Sequence, residues 1–236
     1  MITGSKGRVA KLLVPRLDDR FDVVLLDSQP PLNDPPEHLQ VDICDTDAMQ
    51  AACAGADAIV HLAGQAAVRA TWEDLEVPNV RGLVSTFDAA QRAGVPKLVF
   101  ASSNHVTGMY DQEQAWPVTP DQPIRPDSLY GATKALGEAI GRFYSDNYGM
   151  SVVCVRMGWA LEKPHNEEAR WMWLSPGDLT RLITGALLSD VRFGIYYGVS
   201  NNVQRHWSID NAQRDLSYVP EDDSEPYFAT TDSDDG

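Results

Sequence analysis

Cysteine is scarce in this sequence of 236 residues, which contains three: Cys44, Cys53 and Cys154. The number is odd, the spacing is wide, and no pair has the CxxC spacing typical of zinc sites and redox motifs. The three residues therefore predict small, reduced core side chains rather than a disulfide framework. We also expect no bound metal, because no histidine, cysteine and acidic residues cluster with ligand spacing.

Basic residues are also few, since 19 Lys and Arg stand against 34 Asp and Glu, for a net charge of −15 at pH 7. Such a surface repels phosphate backbones and anionic lipid, so it disfavours nucleic-acid and membrane partners. No apolar run reaches the roughly 18 residues that span a bilayer, and no signal peptide precedes the first glycine motif. We therefore expect a cytoplasmic protein.

Short apolar runs alternate with helical patterns along most of the chain. The runs are bounded by Gly, Asp or Pro, as strands buried on both faces are, and lie at 21–27, 56–62, 97–102, 151–156 and 194–199. Helices are predicted at 8–17, 46–54, 80–93, 130–148, 175–188 and 209–216.

This alternation predicts an α/β fold, a Rossmann-type doubly wound parallel sheet. We expect a cofactor-binding core at 1–160. A small C-terminal substrate-binding portion of the same domain would follow at 161–220, and an acidic, frayed tail would occupy 221–236.

The first glycines are typical of a loop that holds a dinucleotide pyrophosphate. Gly4 and Gly7 stand between β-prone residues and a helix, with Ala10 as a third small residue. Asp27 ends the next strand, where a carboxylate accepts hydrogen bonds from ribose hydroxyls and repels a 2′-phosphate, so NAD is favoured over NADP. Asp42 and Ile43 follow the presumed third strand, where adenine contacts would lie. Because three residues precede Gly4, we expect a first strand shorter than the usual 5 or so.

Tyr130 and Lys134 are four residues apart, which places both on one face of a helix. A tyrosine with a pKa near 10 is a poor base at pH 7, and a neighbouring ammonium lowers that pKa by stabilising the phenolate. Ser103 lies at the end of a predicted parallel strand, where the active sites of such sheets are found, and could bind the reacting oxygen. His105 beside it is either a substrate contact or a structural histidine.

Six segments together resemble the extended short-chain dehydrogenase/reductase (NAD-dependent epimerase/dehydratase) family. They are TGSKGRVA at 3–10, Asp27, HLAG at 61–64, NVRG at 79–82, SSNHVTG at 102–108 and YGATK at 130–134. SSNH, YGATK and RWMWLSPGDL at 170–179 are most similar to uronate dehydrogenases and archaeal NAD-dependent glucose-6-phosphate dehydrogenases. The resemblance implies oxidation of a small sugar or uronic acid at C1 to a lactone, with hydride transfer to NAD.

The resemblance also implies roles for individual residues. Tyr130 would be the general base, and Lys134 would bind the cofactor ribose and tune Tyr130. Ser103 would hold the substrate hydroxyl, while Asn104, His105 and Arg170 would contact the sugar. Asn79 would support the cofactor side or a proton relay, and the adenosine–ribose channel would be lined by Leu62, Ala63 and Gly64.

Three departures from the resemblance concern the substrate. Trp159 replaces a small polar residue, Arg170 lies two residues closer to the WLS segment than expected, and a serine expected after HLAG is absent from 65–67. These changes leave hydride chemistry intact but weaken the case for a uronate.

Two other functions stay open. One is a nucleotide-sugar epimerase or dehydratase, disfavoured by the short C-terminal portion and by Asn104 and His105 where dehydratases carry acid–base carboxylates. The other is a protein that binds NAD with little or no turnover. Helices at 80–93 and 130–148 could also pair with a second copy to form a homodimer.

Overall fold

The computed structural model describes residues 1–30 and 38–228, which form a seven-stranded sheet with helices on both faces. Every neighbouring pair of strands is parallel. In chain order the strands are β1 (Ile2–Thr3), β2 (Leu25–Asp27), β3 (His38–Gln40), β4 (Ile59–His61), β5 (Lys97–Ser103), β6 (Ser151–Met157) and β9 (Phe193–Gly198). Their order across the sheet is β3-β2-β1-β4-β5-β6-β9, which confirms the predicted doubly wound α/β fold.

Helices lie between successive strands of the sheet along the chain, and the last α-helix comes after the last of these strands. The helices are α1 (Arg8–Leu13), α2 (Thr46–Ala52), α3 (Trp72–Leu75), α4 (Gly82–Arg92), α5 (Gly108–Gln112), α6 (Leu129–Tyr148), α7 (Ala169–Met172), α8 (Pro176–Leu188) and α9 (Asp210–Leu216). A two-stranded parallel sheet of β7 (Trp159–Ala160) and β8 (Trp173–Leu174) lies beside α7. No helix in the described part of the chain is long and apolar enough to cross a membrane.

The central strands are apolar because both of their faces are covered. Along β5, Val99 and Ala101 pack into one core cluster, whereas Leu98 and Phe100 pack into the other. Successive side chains of a strand point to opposite faces, so this alternation puts one core on each side of the sheet. A continuous apolar run is therefore the pattern that a parallel strand requires.

The first strand is as short as the sequence predicts. Ile2 pairs with Leu25 on one side and with Val60 on the other. The amino group of Met1 donates a hydrogen bond to the carbonyl of Ala58 at 2.8 Å, and burial lowers the pKa of that amine. Two paired residues thus position Gly4 at the carboxyl edge of the sheet.

Several boundaries differ from the prediction. The strand expected at 21–27 is reduced to Leu25–Asp27, and a π-helical turn, Glu76–Arg81, precedes α4. Pro78 lies inside this turn and has no N–H to donate, so a regular α-helical ladder could not run through it. The sequence pattern did not predict α3, α5, α7, β7 or β8, all of which have five residues or fewer.

The C-terminal segments also differ in part. β9 lies within the stretch predicted as the substrate portion, yet it pairs with β6 as the seventh strand of the main sheet. Residues 221–228 were expected to fray, but the N–H groups of Glu221 and Asp222 donate to Asp178 at 2.8 and 3.1 Å. The rest of the predicted tail, 229–236, lies outside the described residues.

Candidate active site

Two adjoining cavities open at the carboxyl ends of the parallel strands. One, of about 620 Å³, is lined by the loops that follow β1 to β4. The other, of about 680 Å³, is lined by residues that follow β5 and β6 and by α6. Leu62 and Gly64 line both cavities. Ligand sites of doubly wound sheets lie at this edge, so the two cavities together form the candidate site.

The first cavity contains a close backbone approach that requires glycine. Gly4 has φ +68°, and a Cβ there would lie 2.7 Å from the Cα of Ala63. The N–H of Lys6 donates to one oxygen of Asp27 at 3.0 Å, and the N–H of Gln29 donates to the other at 3.1 Å. The glycine loop and the acidic residue are thus held together at the start of α1, as a dinucleotide requires.

The cofactor residues predicted from the sequence meet in this cavity. Its lining includes Gly4, Gly7, Asp27, Asp42, Ile43, Leu62, Ala63 and Gly64. The carboxylate of Asp42 accepts the N–H of Cys44 at 2.9 Å. The combination of small residues, a fixed carboxylate and a helix N-terminus fits an adenine dinucleotide without a 2′-phosphate.

Asn79 supports the site without lining either cavity. Its Oδ1 accepts the N–H of Gln65 at 2.7 Å, and its Nδ2 donates to the carbonyl of Gln65 at 3.0 Å and to the hydroxyl of Thr133 at 3.1 Å. Asn79 therefore ties the loop after β4 to α6. It fixes Gly64, whose φ of +143° and whose closeness to Asn79 both exclude a side chain.

Tyr130 and Lys134 lie in the first turns of α6 and line the second cavity. The helix begins there because the hydroxyl of Ser128 accepts the N–H of Gly131 at 3.1 Å. Burial raises the pKa of Tyr130, while the Ser103 hydroxyl and the charge of Arg8 act in the opposite direction. Tyr130 is 8% exposed, so it reaches little solvent other than the cavity.

Lys134 is held where it can act on Tyr130. Its Nζ donates to the carbonyl of Ala101 at 2.8 Å and lies 5.7 Å from the centre of the Tyr130 ring. Burial lowers the pKa of Lys134 to about 8. While protonated, this ammonium favours the phenolate form of Tyr130.

Ser103, Asn104 and His105 follow β5 and line the same cavity. The Ser103 hydroxyl accepts the N–H of His105 at 3.2 Å, which begins a 3-10 turn and fixes the hydroxyl at the end of the strand. The Nδ1 of His105 hydrogen bonds to Asp127 at 2.8 Å, so Nε2 is the ring nitrogen left for a ligand.

Arg170 was expected to contact the sugar, and the structure places it elsewhere. Its guanidinium binds Glu225 and, at 2.9 Å, Glu167, and it lies 5.2 Å from the Phe228 ring. It is not among the residues that line the second cavity, whereas Glu168, two positions earlier, is. The structure therefore does not bring Arg170 to the second cavity, because acidic partners hold it against the C-terminal segment.

Sequence reasoning missed four charged lining residues of the second cavity: Arg8, Arg69, Asp127 and Glu168. The available signal for Asp127 was its position directly before Ser128, the N-cap residue of α6. No local pattern distinguishes Glu168 from its neighbour Glu167. Trp159 does line the cavity, as its unusual identity suggested, with the His165 ring edge-on at 5.1 Å.

Known proteins are similar to this chain in sequence and in fold. The sequence model of the NAD dependent epimerase/dehydratase family matches residues 1–168. A uronate dehydrogenase of Pseudomonas syringae is 36% identical over 99% of this chain and 85% of its own length. An NAD-dependent glucose-6-phosphate dehydrogenase of Haloferax volcanii is 36% identical over 95% and 93%. The crystal structure of an Agrobacterium tumefaciens uronate dehydrogenase variant complexed with NAD superimposes with a TM-score of 0.88, at 31% identity over 99% and 90%.

Proposed function

The chain belongs to the NAD dependent epimerase/dehydratase family, and on this premise we propose that it is an NAD-dependent dehydrogenase that oxidises a small sugar at C1 to a lactone. The observation that carries the proposal is one cavity lined by Ser103, Tyr130 and Lys134 beside a second that fits an adenine dinucleotide. Relatives named as NAD-dependent sugar dehydrogenases support the reaction class. The partner is thus a small-molecule sugar.

The first cavity binds the cofactor, and the second binds the sugar. Gly4, Gly7 and the carboxylate of Asp27 hold the cofactor, which when bound accepts the hydride from the sugar carbon. Ser103 orients the C1 hydroxyl, and Tyr130 takes its proton as a general base. Lys134 holds positive charge beside Tyr130 and so favours the phenolate. Asn104 and His105 bind other hydroxyls of the sugar, and 161–220 supplies the far wall of its site.

The proposal is tested by reduced-nicotinamide formation with NAD or NADP across aldoses, uronates and sugar phosphates. We expect turnover with NAD on at least one sugar, and a much lower kcat/KM with NADP, because Asp27 repels a 2′-phosphate. The absence of turnover with every sugar, in protein that binds NAD by calorimetry, would contradict the dehydrogenase assignment.

An apolar stripe on α6 supports a second proposal, that the protein is a homodimer. Leu129, Leu136 and Phe143 are seven residues apart, lie on one face and are 52%, 40% and 50% exposed. Val84 on the neighbouring α4 is also exposed. A second copy that presents the same stripe would cover all four side chains, as a two-fold interface requires.

We expect Phe143→Glu to convert the dimer to a monomer, because the carboxylate would be buried against apolar side chains of the second copy. Light scattering coupled to gel filtration gives the mass. Leu188→Glu is the matched control, since Leu188 is 58% exposed but lies at the end of α8. A wild-type protein that is monomeric at all concentrations would contradict the proposal.

The cysteines support a cytoplasmic location, which we also propose. All three are free thiols, and burial raises the pKa of Cys53 to about 11. Unpaired thiols of this kind persist where the surroundings are reducing.

A further inference from the structure

The order of the strands in the sheet determines which residues surround each end of a bound sugar. The cofactor cavity lies over β1 to β4, and Ser103 ends β5, the next strand of the sheet. Trp159, Glu168 and Met172 follow β6, one strand further from the cofactor, and line the same cavity as Ser103. A sugar whose C1 lies at Ser103 and Tyr130 therefore presents its remote end to these three residues.

The charges on the cavity wall are unevenly placed. Its titratable and charged lining residues are Arg8, Arg69, His105, Asp127, Tyr130, Lys134 and Glu168. Arg69 follows β4, and Arg8 begins α1, whose residues contact β7, the segment Trp159–Ala160. Lys134 is bound to a backbone carbonyl, and Asp127 is paired with His105. Among the described lining residues, Glu168 is thus the charged side chain that the β6 side contributes.

The arginine nearest in sequence does not offset this charge. Arg170 is bound to Glu225 and Glu167, and its side chain is 23% exposed. The carbonyl of Arg170 also accepts the hydroxyl of Ser224, which fixes the start of α7 to the C-terminal segment. At the β6 side of the cavity, a carboxylate or phosphate of the sugar would therefore meet the carboxylate of Glu168 without a compensating charge from Arg170.

The other two residues of this wall are apolar. Trp159 is partly buried, with the His165 ring edge-on to its indole, and Met172 lies at the end of α7. An indole face packs well against the C–H groups of a sugar ring, and a carboxylate can accept hydrogen bonds from sugar hydroxyls. Both features suit an uncharged polyol.

We propose that the substrate is a neutral aldose, and that Glu168 and Trp159 select it over uronates and sugar phosphates. This inference rests on the dehydrogenase activity proposed above and names the substrate class of that site. Glu168 acts by hydrogen bonding to a remote hydroxyl and by repelling an anion placed there. Trp159 acts by occupying the space that a charged group and its hydration would need.

The test compares sugars that differ at the remote end alone: glucose with glucuronate and glucose 6-phosphate, and galactose with galacturonate. For the wild-type protein we expect kcat/KM to be at least about tenfold higher for the neutral sugar of each set, because like charges at a binding site are costly. In Glu168→Arg, we expect the ratio of uronate to aldose kcat/KM to rise by at least about tenfold, chiefly through KM.

Glu162→Arg is the matched control, because Glu162 lies in the same loop, does not line the cavity and pairs at the surface with Arg16, 2.9 Å away. We expect this control to leave the ratio of uronate to aldose kcat/KM unchanged. A wild-type preference for uronates or phosphates, or an equal response to both substitutions, would overturn the inference.

If no sugar is oxidised, the dehydrogenase proposal fails, and calorimetry of the same sugar sets in the presence of NAD decides the inference separately. Tighter binding of the neutral sugars by the wild-type protein supports it. Tighter binding of the anions, or binding of no sugar, overturns it.

Discussion

Replacing Tyr130 with Phe is expected to lower kcat by ~10²–10⁴-fold, the usual contribution of a positioned acid–base group. The substitution removes one hydroxyl from a side chain that is 8% exposed and leaves the ring in contact with His105. The fold and the NAD-binding cavity should therefore be unaffected. Steady-state kinetics with the best sugar would measure the loss, and calorimetry with NAD would show an unchanged Kd.

Tyr144→Phe is the control for this substitution. Tyr144 lies on the same helix, is 7% exposed and stacks on Phe87, but it does not line either cavity of the site. We expect it to keep nearly wild-type kcat. If Tyr130→Phe kept wild-type rates, or if both variants lost activity equally, Tyr130 would not be the base.

The positions of the candidate catalytic residues could be predicted because their signals are local and lie on long elements. Ser103 ends a seven-residue strand, and Tyr130 is the second residue of a twenty-residue helix. The carboxyl edge of a parallel sheet then brings them together without further information. The same logic placed Asp27 and Gly4 in one cavity.

The substrate side was harder to predict because its orientation depends on distant contacts. α7 has four residues, and the partner that turns Arg170 away from the cavity is Glu225, 55 residues later. Which of Glu167, Glu168 and Arg170 faces a sugar therefore cannot be inferred from the local sequence. The position of Asp127 could not be predicted for the same reason, because its hydrogen-bond partner His105 lies 22 residues earlier in the sequence. A side chain at Gly108 would also overlap the carboxylate of Asp127.

A buried ion pair between Glu138 and Arg156 lies near the candidate catalytic residues. We expect its disruption to lower the free energy of unfolding more than any other substitution proposed for this protein. Glu138, on α6, accepts Arg156 Nε and Nη2, each at 2.8 Å, and the hydroxyl of Ser102 at 2.6 Å. Arg156, on β6, also donates to the hydroxyl of Tyr197 at 3.2 Å. The two charged side chains are 1% and 2% exposed. The network thus ties α6 to β5, β6 and β9 directly below Ser103 and Lys134.

Arg156→Met should lower the free energy of unfolding by ~3–5 kcal/mol, because it leaves the carboxylate of Glu138 buried without its cation. Urea unfolding would measure the loss.

Two further variants separate charge from packing. Glu138→Gln combined with Arg156→Met removes both charges while the amide can still accept from Ser102, so it should recover a large part of the stability. Arg142→Met breaks an ion pair with Asp146 whose side chains are 59% and 51% exposed, and it should cost less than about 1 kcal/mol. If Arg156→Met cost no more than Arg142→Met, the buried pair would not hold α6 to the sheet. The placement of Tyr130 against Ser103 would then have to depend on other contacts of α6, among them the Lys134–Ala101 and Asn79–Thr133 hydrogen bonds and the Ser128 cap.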